Sequence, residues 1–330
     1  MKIAGVERQM CKALGAAVAW SLLVGLAVIS AQTGGAGNVA TFRSGVDLVT
    51  MNAVVRDRRG RIVPDLKQAD FELIDGGVPR SITGFRAEQA PVSLALLVDA
   101  SGSMQVASKI EDARRAARLL AAWLHDGSDE VGLFSFDSGL RQIEPFAPYR
   151  GDASLERSLG GIAPFGMTSL HDAIAATARD LAARPNAHRA VIVFTDGVDN
   201  DSHLTAPEVS GIASAIDVPV YIIAVVSPLD HQGAATAVMS ARPVPVGDLA
   251  DLAHWTGGEF YVSSAPADTS LATRQIVEEL RHQYLIAFER GSLPGWHPLE
   301  LRTRRRQLVV RARSGYIVDQ PRAAISPGIR

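Results

Sequence analysis

The hydrophobic and polar positions of this chain change pattern twice along its length. Between residues 91 and 282, apolar runs alternate with stretches of helical spacing; the runs are SLALLV (93–98), EVGLFSF (130–136), AVIVFT (190–195) and VPVYIIAVV (218–226). Runs of this kind are typical of strands that are covered on both faces. We therefore predict an α/β domain built on a doubly wound, mostly parallel sheet, with residues 140–146 as an antiparallel edge strand.

Helix signals separate these strands. Ser108 with Glu111, and Thr205 with Glu208, have the spacing of a capping box, in which two side chains satisfy the first N–H groups of a helix. Apolar residues recur at helical spacing over 110–124, 170–181 and 269–282. Four helices are predicted from these signals.

The regions on either side of the α/β domain are β-rich. Residues 44–90 and 283–319 contain short strand patterns that are broken by turn signals such as Arg-Gly and Asp-Gly-Gly. The ends of a domain commonly lie close together. We therefore expect the two regions to pair in one small β module, into which residues 91–282 are inserted. Residues 32–43 are predicted to be a linker, and 320–330 a loose tail.

The first 31 residues have the pattern of an export signal. Lys2, Arg8 and Lys12 precede an apolar run from Ala13 to Ala31. This order is typical of a signal peptide, and we expect cleavage near Ser30 or Ala31. The run is also long enough for an uncleaved N-terminal membrane anchor, which is the alternative. Both interpretations predict an exported protein that is periplasmic, at the cell surface or secreted.

Composition restricts the partners. The 330 residues carry a net charge of -2 with a pI near 6.5, so no overall field attracts nucleic acid or anionic lipid. We expect no nucleic-acid partner, and no membrane contact beyond the N-terminal segment. The single cysteine, Cys11, precedes the apolar run, so the exported part has no disulfide.

Five oxygen-bearing side chains occur at strand ends and helix starts. Asp99, Ser101 and Ser103 follow the first parallel strand, Asp196 follows AVIVFT, and Thr168 starts the helix that leads into that strand. Ligands of open α/β sheets bind beyond the carboxyl ends of the strands, where the strand order reverses. Carboxylates and hydroxyls are hard ligands that suit Mg²⁺ or Mn²⁺, in preference to Ca²⁺ here. A divalent-metal site is therefore predicted at this edge.

These residues carry a family resemblance. DASGS at 99–103, Thr168 in GMTSL and Asp196 in FTDG resemble the metal-ion-dependent adhesion site of von Willebrand factor A domains. The resemblance covers roughly residues 90–282. It implies that Ser101, Ser103 and Thr168 ligate the cation, while Asp99 and Asp196 hold it directly or through water.

Shorter phrases resemble exported bacterial proteins that contain such a domain. These phrases are Asp70-Phe71-Glu72 before the α/β domain, and residues 283–288 and Gly315-Tyr316 after it. They imply the same order of segments: a β region, the A domain and a second β region.

The predicted function is a noncatalytic, metal-dependent adhesion or protein-interaction module. Neutral hydroxyls leave much of the cation's charge uncancelled, so a carboxylate from a protein partner would fill the open position. One alternative is a magnesium-dependent phosphoryl-transfer hydrolase, although no general base or phosphate-binding lysine is evident. The other is a structural envelope protein in which the metal only stabilises the fold.

Three further sets of residues have weaker interpretations. DGVDND (196–201) is interpreted as a helix-capping loop beside the site rather than a calcium loop. Of the flanking methionines, Met167 is expected in the core and Met104 at the rim. We expect a solvated cluster at a β turn, with contact to acidic glycans, phosphate groups or a partner protein as the alternative, for the arginines at 302, 304, 305, 306, 311 and 313.

Overall fold

The computed structural model describes residues 47–318, except 88, 152 and 227–245. The predictions for the export signal (1–31, with Cys11), the linker (32–43) and the tail (320–330) lie outside the described residues. Among the helices that are described, none has the length and apolar character needed to cross a membrane.

The secondary structure follows the alternation of the sequence. The strands are β1 (Leu48–Asp57), β2 (Phe71–Asp75), β3 (Val78–Arg80), β4 (Ile82–Arg86), β5 (Val92–Asp99), β6 (Glu130–Phe136), β7 (Leu140–Pro148), β8 (His188–Thr195), β9 (Val220–Val225), β10 (Phe260–Ser263), β11 (Tyr284–Glu289), β12 (Gly295–Thr303), β13 (Leu308–Ala312) and β14 (Gly315–Val318). The helices are α1 (Lys109–Ala121), α2 (Ala153–Gly160), α3 (Leu170–Ala182), α4 (Ala206–Ala215), α5 (Val246–Trp255) and α6 (Pro266–Arg281).

A six-stranded sheet forms the centre of the α/β domain. Its order is β10-β9-β8-β5-β6-β7, and every pairing is parallel except that of β6 with the edge strand β7. Helices α1, α2 and α6 cover one face, and α3, α4 and α5 cover the other. The predicted fold class and the antiparallel edge strand are confirmed. Since the strand order reverses between β5 and β8, their carboxyl ends lie side by side.

Helix boundaries differ from the predictions in two places. Ser108 adopts a left-handed conformation (φ 60°) and its side chain makes no capping hydrogen bond, so the predicted capping box at Ser108 is wrong. Thr205 behaves as predicted, because its N–H and hydroxyl both donate to Glu208 at 2.8 Å. Helix α6 begins at Pro266 rather than at residue 269. Elements α2, α5 and β10 were not predicted.

The flanking regions form two antiparallel sheets. One has the order β13-β1-β11-β4 and the other β14-β12-β2-β3, so both sheets combine strands from before and after the α/β domain, as predicted. Met51, Phe71, Tyr284 and Phe288 lie in the core of this module. The rings of Phe71 and Tyr284 meet edge to face at 5.2 Å, a favourable aromatic geometry. Together with Tyr316, these residues show that all three family-like phrases contribute to the core of the module.

Two of the six C-terminal arginines are buried against the α/β domain. The Arg311 guanidinium donates to the carboxylates of Glu259 and Glu279, and Arg313 donates to the carbonyl of Ser214 at 2.6 Å. Gly257 allows the backbone at the end of β13 to come close, since a Cβ there would lie 2.9 Å from the backbone nitrogen of Arg313. The expectation of a solvated cluster is therefore wrong for Arg311 and Arg313, while the other four arginines are exposed.

Glu279 of α6 is the central acceptor of this contact. Its carboxylate is fully buried and accepts hydrogen bonds from Arg56 of β1 and Arg311 of β13. Asn52 of β1 adds a second link, because its amide donates to Asp217 at 2.9 Å. Charged and amide groups thus attach the β module to the α/β domain.

Replacing Glu279 with glutamine is expected to lower the free energy of unfolding by about 3–5 kcal/mol, because both arginines would lose their buried counter-charge. The matched control is Glu278→Ala. Glu278 is exposed on the same helix and faces Arg274 at 3.6 Å, so we expect a change within about 0.5 kcal/mol. Urea unfolding followed by tryptophan fluorescence measures both. A loss below about 1 kcal/mol for Glu279→Gln would contradict the role assigned to this carboxylate.

Candidate functional site

Asp99 is held rigidly at the end of β5. Its side chain is fully buried, and its two carboxylate oxygens accept hydrogen bonds from the Ser101 N–H (2.8 Å) and the Thr195 hydroxyl (2.6 Å). The pKa of Asp99 is raised to about 6, chiefly by burial and also by the nearby charge of Asp196, while the hydrogen bonds from Ser101 and Thr195 partly oppose the rise. A cation at this position would favour the ionised carboxylate.

The two serines of DASGS lie next to each other. The hydroxyl oxygens of Ser101 and Ser103 are 3.0 Å apart. The segment that precedes Thr168 packs against them, since the Gly102 N–H donates to the Gly166 carbonyl (3.0 Å) and the Phe165 N–H to the Ala100 carbonyl (2.7 Å). Gly166 has a φ of +95°, a conformation that favours glycine. The first two predicted ligand segments are therefore in direct contact.

Thr168 is fixed by the loop that follows β8. Its N–H donates to the Asn200 side chain at 2.9 Å, and its carbonyl accepts from the Asn200 N–H at 3.0 Å. Asp199 of the same loop accepts from the His171 N–H (2.9 Å) in the first turn of α3. The geometry agrees with the interpretation of DGVDND as a helix-capping loop. Asn200 thus links the second ligand segment to the third.

Asp196 has one paired and one unpaired oxygen. The residue is buried directly after β8, and its Oδ2 accepts from the Lys109 ammonium at 3.0 Å. Its Oδ1 is also buried but has no hydrogen-bond partner. An unsatisfied buried oxygen is costly, so this atom favours a further cation or donor.

The structure brings the five predicted residues to one edge of the sheet and adds three that the sequence interpretation missed. These are Thr195, which donates to Asp99; Asn200, which positions Thr168; and Lys109, which pairs with Asp196. The two methionines are reversed relative to the expectation. Met104 is fully buried in the core, whereas Met167 is 48% exposed next to Thr168.

The donor set matches a hard cation. It has two carboxylates and three hydroxyls, the types of oxygen that Mg²⁺ and Mn²⁺ accept. In the part of the chain that the structure describes, no three histidine, cysteine, aspartate or glutamate side chains are grouped to hold a metal ion. Any metal centre of this edge would therefore depend on serine and threonine oxygens as well as on the two aspartates.

Residues 94–198 match the family model of the von Willebrand factor type A domain. The matched range contains all five predicted ligands, and the six-stranded sheet with its helices has this domain's fold. A comparison with curated proteins finds no match.

Among solved structures, the chain is similar to a conserved hypothetical protein BatB from Bacteroides thetaiotaomicron (22% identity, covering 57% of this chain and 98% of that one, TM-score 0.46). It is also similar to a von Willebrand factor type A protein from Catenulispora acidiphila (13% identity, covering 80% of this chain and 71% of that one, TM-score 0.47). A third similarity is to the PilB minor pilin from Streptococcus sanguinis (15% identity, covering 61% of this chain and 63% of that one, TM-score 0.43). These similarities are too low to assign a function.

The backbone between the serines and Lys109 is strained. Ala107 and Ser108 have φ values of 54° and 60°, a left-handed conformation that costs about 1–2 kcal/mol per non-glycine residue. Strain of this kind often accompanies functional sites. Here it lies between a predicted ligand, Ser103, and the lysine that pairs with Asp196.

Replacing the exposed Ala107 with glycine should leave the free energy of unfolding unchanged or raise it by up to about 1 kcal/mol, because glycine accepts a positive φ. Ala176→Gly is the control: Ala176 lies within α3, and the same change there should cost about 0.5–1 kcal/mol. Chemical unfolding of the two variants measures both changes in the free energy of unfolding. Equal losses at both positions would show that residue 107 is not strained in solution.

Proposed function

We propose that the chain is an exported, noncatalytic interaction module that binds a protein partner through a divalent cation. The supporting observation is the unpaired, buried Oδ1 of Asp196, at the same sheet edge as Asp99 and the adjacent hydroxyls of Ser101 and Ser103. This edge combines negative charge with hydroxyl oxygens, which a Mg²⁺ or Mn²⁺ ion would satisfy.

Each residue has a defined part in this proposal. Ser101, Ser103 and Thr168 would supply hydroxyl oxygens, while Asp99 and Asp196 would hold the ion directly or through water. Thr195 and Asn200 act indirectly, since they fix the orientations of Asp99 and Thr168. The bound ion would offer an open position to a carboxylate oxygen of the partner.

Lys109 is a competitor for the ion. Its ammonium already pairs with Asp196 at 3.0 Å, and the Lys109 side chain is only 14% exposed. The lysine therefore stabilises the metal-free site and opposes the arrival of a second cation. This competition would keep the affinity for the ion moderate.

Export is supported by the N-terminal sequence. The basic residues and apolar run of residues 1–31 fit a signal peptide or an anchor, and an adhesion module acts outside the cytoplasm.

Thermal unfolding of the full chain with EDTA, Mg²⁺, Mn²⁺ or Ca²⁺ tests the metal. An ion that binds only the folded state raises stability by about 2.7 kcal/mol at one hundred times its Kd. We expect a rise with Mg²⁺ or Mn²⁺ that Ser103→Ala and Thr168→Ala largely abolish. Ser270→Ala, on α6 away from the site, should retain it. If no ion at millimolar concentration shifts the unfolding curve, the proposal fails.

The competition of Lys109 is testable separately. Lys109→Met removes the ammonium and keeps most of the apolar stem, so Mg²⁺ should bind about tenfold or more tightly, since a charge-assisted hydrogen bond contributes about 1.5–3 kcal/mol. Calorimetric titration measures the change. Weaker binding in this variant would instead make Lys109 a residue that shapes the site.

A further inference from the structure

The three loops of the site expose large apolar side chains. Val106 is 62% exposed, Phe165 79%, Met167 48% and Val198 43%. We call these four residues the apolar rim. Each lies within three residues of a predicted ligand, and scattered exposed apolar residues are normal, but a group of them on connected loops marks a contact surface.

The rim residues are on loops whose contacts hold them at one end of the sheet. The Gln105 side chain donates to the Pro164 carbonyl at 2.6 Å, which ties the segment of Val106 to that of Phe165. The bonds between Thr168 and Asn200 tie Met167 to the loop of Val198. Because the loops are fixed to one another, the rim is a preformed surface.

The rim side chains do not contribute to the hydrophobic core of the fold. Ala100 and Met104, from the same segment as Val106, enter the core, whereas the four rim side chains are exposed. Polar residues at these positions would avoid the cost of exposing apolar area to water. Their apolar character is therefore unexplained by folding and is consistent with a partner that covers them.

The charges near the rim select the chemistry of the partner. Lys109 lies at the centre beside Asp196, and the proposed cation would add two positive charges there. Of the acidic residues on the surrounding loops, Asp137 pairs with Arg141, Asp199 lies 3.3 Å from the His171 ring, and Asp201 accepts a hydrogen bond from the Ser169 hydroxyl. The surface thus offers a positive centre with an apolar border.

We propose that the partner is a protein segment in which one acidic side chain is flanked by apolar ones. The carboxylate reaches the cation, and the flanking side chains cover the apolar rim. This inference rests on the proposed function and specifies its partner. A highly charged acidic segment would leave the apolar rim exposed and would fit less well.

The test uses the full chain with MgCl₂ and fluorescent, capped heptapeptides that have a central aspartate. One peptide has leucine and phenylalanine flanks, a second has serine and glycine flanks, and a third carries asparagine in place of the aspartate of the first. Fluorescence polarisation should show at least tenfold tighter binding of the first than of either other peptide.

A variant with Val106→Ser, Phe165→Ser, Met167→Ser and Val198→Ser should lose at least tenfold of this binding and retain the Mg²⁺-dependent rise in Tm. The control carries Trp123→Ser and Leu271→Ser. These residues are similarly exposed (49% and 51%), in the turn that follows α1 and on α6, and this variant should bind like the wild type.

The outcomes separate the two proposals. Without a Mg²⁺ shift, the proposed function fails and the partner assignment with it. A Mg²⁺ shift together with no peptide binding, with no preference for apolar flanks, or with unchanged binding by the rim variant overturns the partner assignment alone. Rim-dependent binding to vesicles of phosphatidylcholine and phosphatidylglycerol without Mg²⁺ would also overturn it, in favour of a membrane surface.

Discussion

The parallel pairing of β5 with β8 is the constraint on which the rest of this structure depends. Val98 lies opposite Phe194 in that pairing, so the chain leaves both strands at the same edge, and Asp99 and Asp196 emerge together. Two buried carboxylates repel each other, and this placement is tolerated only with donors close by. The donors are the Ser101 N–H and the Thr195 hydroxyl, which bond to Asp99, and the Lys109 ammonium, which pairs with Asp196. The left-handed turn at Ala107 and Ser108 directly precedes Lys109, so it sets the course of the chain into that ion pair.

The β module meets the α/β domain through its own buried charges. Glu279 would be unfavourable in this position without Arg56 and Arg311, and each arginine would be unfavourable without an acceptor. Directional groups of this kind fix orientation more strictly than apolar contact, because a displaced arginine would leave a buried charge unpaired. The buried charges therefore fix how the module is oriented on the domain. Since Arg56 and Arg311 come from opposite ends of the sequence, the same contact holds both flanking segments in place.

Local patterns predicted the fold well, and tertiary contacts explain what was missed. The parallel strands and the candidate ligands Asp99, Ser101 and Asp196 stand out because apolar runs end abruptly in aspartate and serine. Ser108 and Glu111 have the spacing of a capping box, yet the chain turns left-handed at Ser108, and this hid Lys109 as a residue of the site. Arg311 was misjudged because strand alternation does not reveal what packs on either face. Met104 and Met167 were reversed because loops carry no periodicity from which burial can be inferred.

Charge balance explains how an ion, a lysine and an acidic partner would fit one site. With both carboxylates ionised, Asp99 and Asp196 contribute two formal negative charges against the one positive charge of the Lys109 ammonium that pairs with Asp196, so the metal-free site has one formal negative charge in excess. A divalent ion would reverse this to one positive charge, which a single carboxylate from the partner would neutralise. In a partly buried site such a balance matters, because net charge is poorly screened there. The ion and the partner would therefore favour each other's binding, and the exposed apolar side chains of Phe165 and Met167 would further reduce screening once a partner covers them.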